Sequence, residues 1–316
     1  MAEKIIKEIL RQECFQEKPP VLVDVGASGE LRKIWKELAP FSIYIGFDAD
    51  TRDLAIVEES KGVYKKSFVI NRIVSDREEI KNFYLTKSPH CSSTLKPDLE
   101  SLKPYHIKSF FEIESIQELP SVSLRSIFHK LDISYVDWFK TDSQGTDLRI
   151  FKGMGEEYIK KVLVAEFEPG ILDAYKGEDK LHTIMAFFDT RKDFWCDECL
   201  VRGMARISEE TYKKLNRFEQ RFFYCFQKPA AFWAEISYMN IMKGTYWTKR
   251  DFLLMIVFAI LKKQYGFALE IAEKGKEVLS DQIFEKLKQD TLKIMKINGY
   301  RSFPLYILKR IGEVFL

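Results

Sequence analysis

The spacing of apolar positions changes repeatedly along the chain, and each change marks an element. Ile5, Ile6, Ile9, Leu10 and Cys14 recur at helical intervals and predict an amphipathic helix over 3–15, which Pro19-Pro20 stops. Val21-Leu22-Val23-Asp24-Val25 is a continuous apolar run broken by one acid, the pattern of a strand buried on both faces. Leu31, Ile34, Trp35 and Leu38 predict a helix over 30–38 that ends before Pro40, and a second apolar run at 42–47 predicts the next strand. A helix over 52–60, a strand over 68–74 and a short strand over 82–85 follow. Residues 86–121 are polar and broken by four prolines, which predicts a long loop with short helices over the site. Beyond it the pattern reads helix 122–131, buried strand 135–140, helix 148–153, strand 161–167, helix 181–189 and the last strands over 194–205.

Strands alternating with helices at this spacing build a mostly parallel, doubly wound sheet with helices on both faces. After residue 240 the pattern turns wholly helical, with helices over 252–263, 267–279, 282–297 and 305–315 and turns at Tyr265-Gly266 and Asn298-Gly299. Ala268 and Ala272 suit close helix packing. The expected organisation is a Rossmann-like domain over 1–239, comprising an N-terminal helix over 1–18 and a core over 19–239, then a helical extension over 240–316.

Composition adds a few constraints. Twenty-five Phe and fourteen Tyr allow a large aromatic core, in which Phe218, Phe222, Phe223, Tyr224 and Phe226 are expected. A net charge of +3 is too small to imply a nucleic-acid partner. The charge is uneven: residues 240–316 carry a net +6 and the remainder −3. The basic C-terminal helices are therefore candidates for peripheral contact with an anionic glycan, a membrane surface or a protein, against the plainer reading of a solvated face. Homo-oligomer formation stays open. Five scattered cysteines argue for a reducing compartment rather than a disulfide framework. The charged N-terminus does not read as a signal peptide, and the longest apolar run, 252–261, is about half of the ~20 residues a membrane span needs. Cytoplasmic location is the expectation. Cys196 and Cys199 form one C-x-x-C without a second pair or a nearby His, so no metal site is expected.

Two motifs carry chemistry. The first strand ends in Asp24-Val25-Gly26-Ala27-Ser28-Gly29, and the second in Gly46-Phe47-Asp48-Ala49. Glycines permit a tight turn against a ligand, and Asp48, 22 positions after Gly26, is spaced to accept hydrogen bonds from a ribose diol. Asp24 stands where dinucleotide sites carry a first glycine. An acid there disfavours a pyrophosphate and suits a cationic, amino-acid-bearing nucleoside such as S-adenosyl-L-methionine. The second motif, Lys140-Thr141-Asp142-Ser143-Gln144-Gly145-Thr146-Asp147, ends a strand and opens a helix, so its polar side chains gather at the sheet edge where such folds bind ligands. Its plainer reading is helix capping by Asp142 or Thr146.

Together these blocks resemble the FkbM-type S-adenosylmethionine-dependent methyltransferases, over residues 20 to 200. That family carries Asp-Val-Gly-Ala-x-x-Gly, a Phe-Glu-Pro-type strand end and Lys-Ile-Asp-x-Glu-Gly-x-Glu-x-x-x-Leu-x-Gly; Ser92-Ser93 and Val122-Ser123-Leu124 also look like it. Here Thr141 replaces its Ile, Gln144 its Glu, Arg125 its frequent Asp after Val-Ser-Leu, and Asp48 its Glu. The resemblance implies a seven-stranded methyltransferase sheet and S-adenosyl-L-methionine as cofactor. It implies cofactor contacts from Asp24, Gly26, Ala27, Ser28, Gly29, Asp48 and Ala49, with Ser75 and Asp76 near the adenine. It implies methylation of a small-molecule or glycan acceptor, a sugar or polyol hydroxyl first and an amine second, or a non-catalytic scaffold on the same fold. The expected catalytic bases are Asp142 and His90, and the expected acceptor contacts are Lys140, Gln144, Ser93, Glu166 and Glu168.

Overall fold

The computed structural model describes residues 1–27, 31–50 and 62–314, with Tyr224 and most of 301–314 described by backbone alone. Ser28, Gly29 and the expected helix over 52–60 lie outside the described residues. The chain divides into two compact units, one made of 1–20, 32–41 and 244–316, the other of 21–31 and 42–243. The first therefore combines the N-terminal helix and a short internal segment with the helical tail.

The larger unit is built on β1 (Val21–Val25), β2 (Ile43–Phe47) and β3 (Lys66–Ile70), then β4 (Ile73–Val74), β5 (Ile80–Thr86) and β6 (Ile113–Val122), then β7 (Trp138–Thr141), β8 (Val164–Phe167), β9 (Phe194–Met204) and β10 (Ala230–Asn240). Seven of them form one sheet in the order β3-β2-β1-β7-β8-β10-β9. β1 pairs in parallel with β2 and β7, while β10 runs antiparallel to both β8 and β9. This is a Rossmann-like sheet with a single reversed strand among those described. Val21, Val23 and Val25 pack on one face with Phe139, Phe151 and Phe167, all nearly devoid of solvent contact. The helices Leu124–Lys130, Asp147–Gly153 and Leu181–Thr190 contribute to that same core, and Phe188 stacks on Tyr238 at 3.8 Å. Strands this apolar on both faces need cover on both, which explains their near-continuous hydrophobic sequence.

Several expectations need correction. The 68–74 strand is two: β3 joins the large sheet, while β4 joins a three-stranded sheet ordered β4-β6-β5. β6 runs through the stretch read as loop. It is exposed along most of its length, so it lacks the alternation that betrays a strand, and Pro120 sits near its end opposite Ile80. The helix expected from 122 starts only at Leu124, where the Ser123 hydroxyl caps the Ser126 amide. In place of the expected helix, Lys33–Trp35 and Ala39–Phe41 form short 3-10 helices, and Pro40 lies inside the second.

In the smaller unit, the helix Lys249–Leu261 is buried nearly all round, as its unbroken apolar sequence requires. Thr248 and Asp251 cap it reciprocally, and the Arg250 guanidinium donates to the Lys18 and Pro19 carbonyls. Ala268 and Ala272 are buried in the next helix, and Gly275 lets the Phe284 ring approach where a side chain would collide. The expected turn at Asn298-Gly299 is absent: Ile283–Val314 is one helix, with Asn298 donating to the Tyr265 hydroxyl at 2.7 Å. A single interior glycine costs about 1 kcal/mol, which does not by itself end a helix.

Candidate functional site

The strand order reverses between β1 and β7, which send their chains to opposite sides beyond the carboxyl edge. Ligands of open α/β sheets bind in the gap so created. Here the gap is set by a close approach. Gly26 has φ +79°, and a Cβ on it would sit 2.1 Å from the Asp142 carbonyl oxygen. Around this point the Gly26 and Ala27 amides both donate to the Phe47 carbonyl at 2.9 Å, and the Asp142 amide donates to the Val25 carbonyl at 2.9 Å. The three strand ends are thereby locked together.

A cleft with about 460 Å³ of empty space opens over this junction, lined by Gly26, Asp48, Ala49, Asp142 and Gln144 and walled by Phe47, Ile73, Val74, Phe83 and Ile150. Asp48 ends β2 and accepts the Asp50 amide at 2.8 Å. Asp24 is not on the cleft wall. It stands opposite Lys140 on adjacent strands, and the two buried side chains form an ion pair at 3.3 Å. The sequence expectation for both residues is thus revised. Lys140 neutralises Asp24, so neither presents a bare charge to a ligand.

Asp142 is the hinge of the site. Burial pushes its carboxyl above the usual range; Lys140 opposes that, and Asp24 adds to it. Gln144 donates its side-chain amide to Asp142 Oδ1 at 2.6 Å, and the Tyr175 hydroxyl donates to Gln144 Oε1 at 3.0 Å. The turn that makes this possible uses two left-handed residues, Gln144 (φ +55°) and Gly145 (φ +102°). Ser93 is buried, and its hydroxyl donates to the Gln144 carbonyl at 2.7 Å, so it braces the turn rather than facing a ligand. Asp147, fully buried, accepts from the Thr141 hydroxyl and from the Ser143 amide and hydroxyl through one oxygen. Burial raises its carboxyl to about 6. These contacts clamp Asp142 from both sides in sequence.

A second cleft, with about 860 Å³ of empty space, shares Asp142 and Gln144 with the first. Its walls are aromatic and apolar, from Ile107, Phe110, Phe111, Tyr175, Phe232 and Trp233. Three carboxyls line it: Asp142, Glu168 and Glu178. Glu178 is tied to Lys180 at 3.2 Å and accepts the Ala174 amide at 2.7 Å. Among the described residues Glu168, just past β8, has no such partner, and burial, reinforced by Asp142, pushes it up to about 8. His90 lies exposed on the rim of this cleft, and its charge bears on Asp142.

Ser75 and Asp76 do not reach the first cleft. They line a neighbouring polar cleft that shares Val74, Thr94, Thr146 and Ile150 with it, and Ser75 donates to Asp76 at 3.0 Å. Glu166 pairs in register with Lys140 and Ser237 and lines none of these clefts. Cys196 and Cys199 are exposed on β9, and among the described residues no group of three His, Cys, Asp or Glu is placed to hold a metal. Sequence reasoning missed Tyr175, Glu178 and the Phe110, Phe111, Phe232 and Trp233 walls. They come from segments remote in sequence, and none sits in a local motif. The chain matches no protein-family model and no curated protein.

Two outcomes follow from this geometry. Gly26→Ala combines a strained backbone with overlap on the Asp142 carbonyl, and should lose at least about 3 kcal/mol of stability in chemical denaturation; unchanged stability refutes the close approach. Glu168 binds its proton more tightly folded than unfolded. Stability should therefore fall as pH rises from its ordinary 4.5 through about 8. Glu168→Gln should make that fall shallower, leaving the parts due to Asp142 and Asp147, whose carboxyls burial also raises; a thermal-melt series with the same slope in both proteins contradicts the assignment.

Proposed function

We propose that this chain is an S-adenosyl-L-methionine-dependent methyltransferase that methylates a hydroxyl of a sugar, glycan or polyol. The observation that carries the reading is that two clefts of different character meet at Asp142 and Gln144, beyond the carboxyl edge where the strand order reverses. The resemblance of the Asp24–Gly29 and Lys140–Gly153 blocks to FkbM-type enzymes supports it.

The residues of the first cleft fit the cofactor. Asp48 offers a carboxylate to a ribose diol, and the Phe47, Ile73, Val74, Phe83 and Ile150 walls suit an adenine face. When bound, the cofactor supplies a methyl group on a positively charged sulfur. Gly26 contributes by what it lacks: its missing side chain lets the β1 and β7 ends close beneath the ligand.

The second cleft suits the acceptor. Aromatic walls accept the apolar face of a sugar ring, while carboxyls take its hydroxyl hydrogens. Asp142 lies on the wall common to both clefts, so it is the group positioned to hold the acceptor hydroxyl and take its proton. Burial, by raising its affinity for that proton, suits it to the task. Gln144 holds the carboxylate in one orientation. One observation favours an amine acceptor as a second reading: Glu168 lines the cleft without an ion pair and would gain one from an ammonium group.

Asp48→Ala should weaken S-adenosylmethionine binding by roughly tenfold or more in calorimetry, the loss expected of a charged hydrogen-bond acceptor; undiminished affinity removes Asp48 from the ribose. Asp142→Asn should bind the cofactor with near-normal affinity and turn over about 10²–10⁴ times more slowly, as for loss of a general base. Full activity in that variant, or no cofactor binding by the native protein, sinks the reading.

A further inference from the structure

The connection between β9 and β10 carries an amphipathic helix turned inside out. Arg217–Phe226 is firmly formed: Asn216 Oδ1 accepts the Phe218 and Glu219 amides at 2.9 and 3.0 Å, and Glu219 reaches back to the Asn216 amide at 2.7 Å. Its inner side is held by Gln220, which donates to the Tyr212 and Leu215 carbonyls, and by Phe223 against Tyr212. Its outer side shows Phe218, Phe222 and Phe226, which are 70, 42 and 81% exposed. The spacing of four places them in one stripe, with ring centroids 4.4 and 5.9 Å apart. Three of the five aromatics expected in the core, Phe218, Phe222 and Phe226, are therefore on the surface, and a contiguous apolar stripe of this kind marks a contact.

Its occupant is indicated by charge. Arg217 and Arg221 run beside the phenylalanines, and Lys228 follows the helix; all three are exposed, and none forms an ion pair among the described residues. The helix's one acid, Glu219, is committed to the cap. A second copy of the chain meeting this short stripe about a two-fold axis would set like charges against each other. An anionic bilayer instead takes the rings into its interface and the guanidinium groups among its headgroups.

Location gives the contact a purpose. The preceding helix, Glu209–Lys214, packs on 106–111, where Tyr212 lies 4.8 Å from the His106 ring. Ile107, Phe110 and Phe111 of that segment line the second cleft, and Phe110 is itself 51% exposed. We propose that Arg217–Phe226 seats this protein on anionic membrane surfaces, beside the cleft assigned above to the acceptor. Among the described residues no helix is long and apolar enough to cross a membrane, and an interfacial helix needs no such length. If the acceptor reading holds, the acceptor is an amphiphile whose polar end enters the cleft; membrane binding itself does not depend on that reading.

Co-sedimentation with vesicles of phosphatidylcholine alone, and of phosphatidylcholine mixed with phosphatidylglycerol, tests this on the full chain. The native protein should partition roughly tenfold or more better onto the anionic vesicles. The triple variant Phe218→Ser, Phe222→Ser, Phe226→Ser should lose roughly tenfold or more of that binding, since each ring carries part of it. Arg217→Gln with Arg221→Gln should lose mainly the preference for anionic lipid. All three side chains of the stripe are exposed, so native-like melting of the triple variant is expected and is checked by circular dichroism. In Phe222→Trp, indole emission should shift to the blue with anionic vesicles. Absence of native binding, equal binding by the triple variant, or a stripe that controls dimerisation with no effect on vesicle binding overturns the proposal. Cofactor calorimetry on the triple variant separates the two readings, because it should remain normal.

Discussion

The site depends on one steric condition: β1 and β7 must come close enough at their ends that residue 26 has no room for a side chain. With a Cβ 2.1 Å from the Asp142 carbonyl, no rotamer or small shift relieves the overlap, because both partners are backbone inside a hydrogen-bonded ladder. That contact fixes where the two chains diverge, and so fixes the gap between them. It also sets the Asp142 main chain against a rigid strand, so the carboxylate is aimed by the sheet rather than by a loop. A site held this way keeps its geometry while the loops around it vary.

The same compactness creates an electrostatic problem. Asp24, Asp142, Asp147 and Glu168 are gathered at one sheet edge, while Lys140 is ion-paired to Asp24 and can fully compensate one carboxylate. Burying charges costs several kcal/mol apiece unless they are paired or hydrogen-bonded, so burial pushes the carboxyls of the others above their usual range. Asp147 accepts three donors through one oxygen, while its other oxygen is buried without a hydrogen-bond partner. Asp142 has the Gln144 amide, and Glu168 is left to the cleft.

The first cleft was legible in the sequence because its parts are local: a strand, a glycine turn and an acid at a fixed distance. The Lys140–Gly153 block was legible for the same reason, as a strand end feeding a helix. The roles within it were less so. Asp24 and Lys140 are 116 positions apart, and only strand register brings them opposite each other. β6 went unseen because both its faces are largely exposed, which removes periodicity two. The aromatic helix at 217–226 was misplaced for the converse reason. Hydrophobic spacing reports that a helix has an apolar side, not that the side faces inward. The second cleft was out of reach, since its aromatic and apolar walls come from three segments whose only common property is where the fold puts them.

Gln144 shows how these levels combine. A glutamate is the family-like residue at this position, and by sequence its replacement reads as a lost charge. In the structure the side chain must do two opposite things. It donates to Asp142 Oδ1 at 2.6 Å and accepts from the Tyr175 hydroxyl at 3.0 Å. An amide does both with its two ends; an ionised carboxylate can only accept. A glutamate here would set a second carboxylate against Asp142 in a buried site that already holds too many, and one of the two would have to stay protonated. The amide removes that competition and holds the Asp142 carboxylate in one orientation. It also couples the clefts. Through Gln144, the position of Tyr175 in the aromatic cleft bears on the orientation of the carboxylate shared with the other.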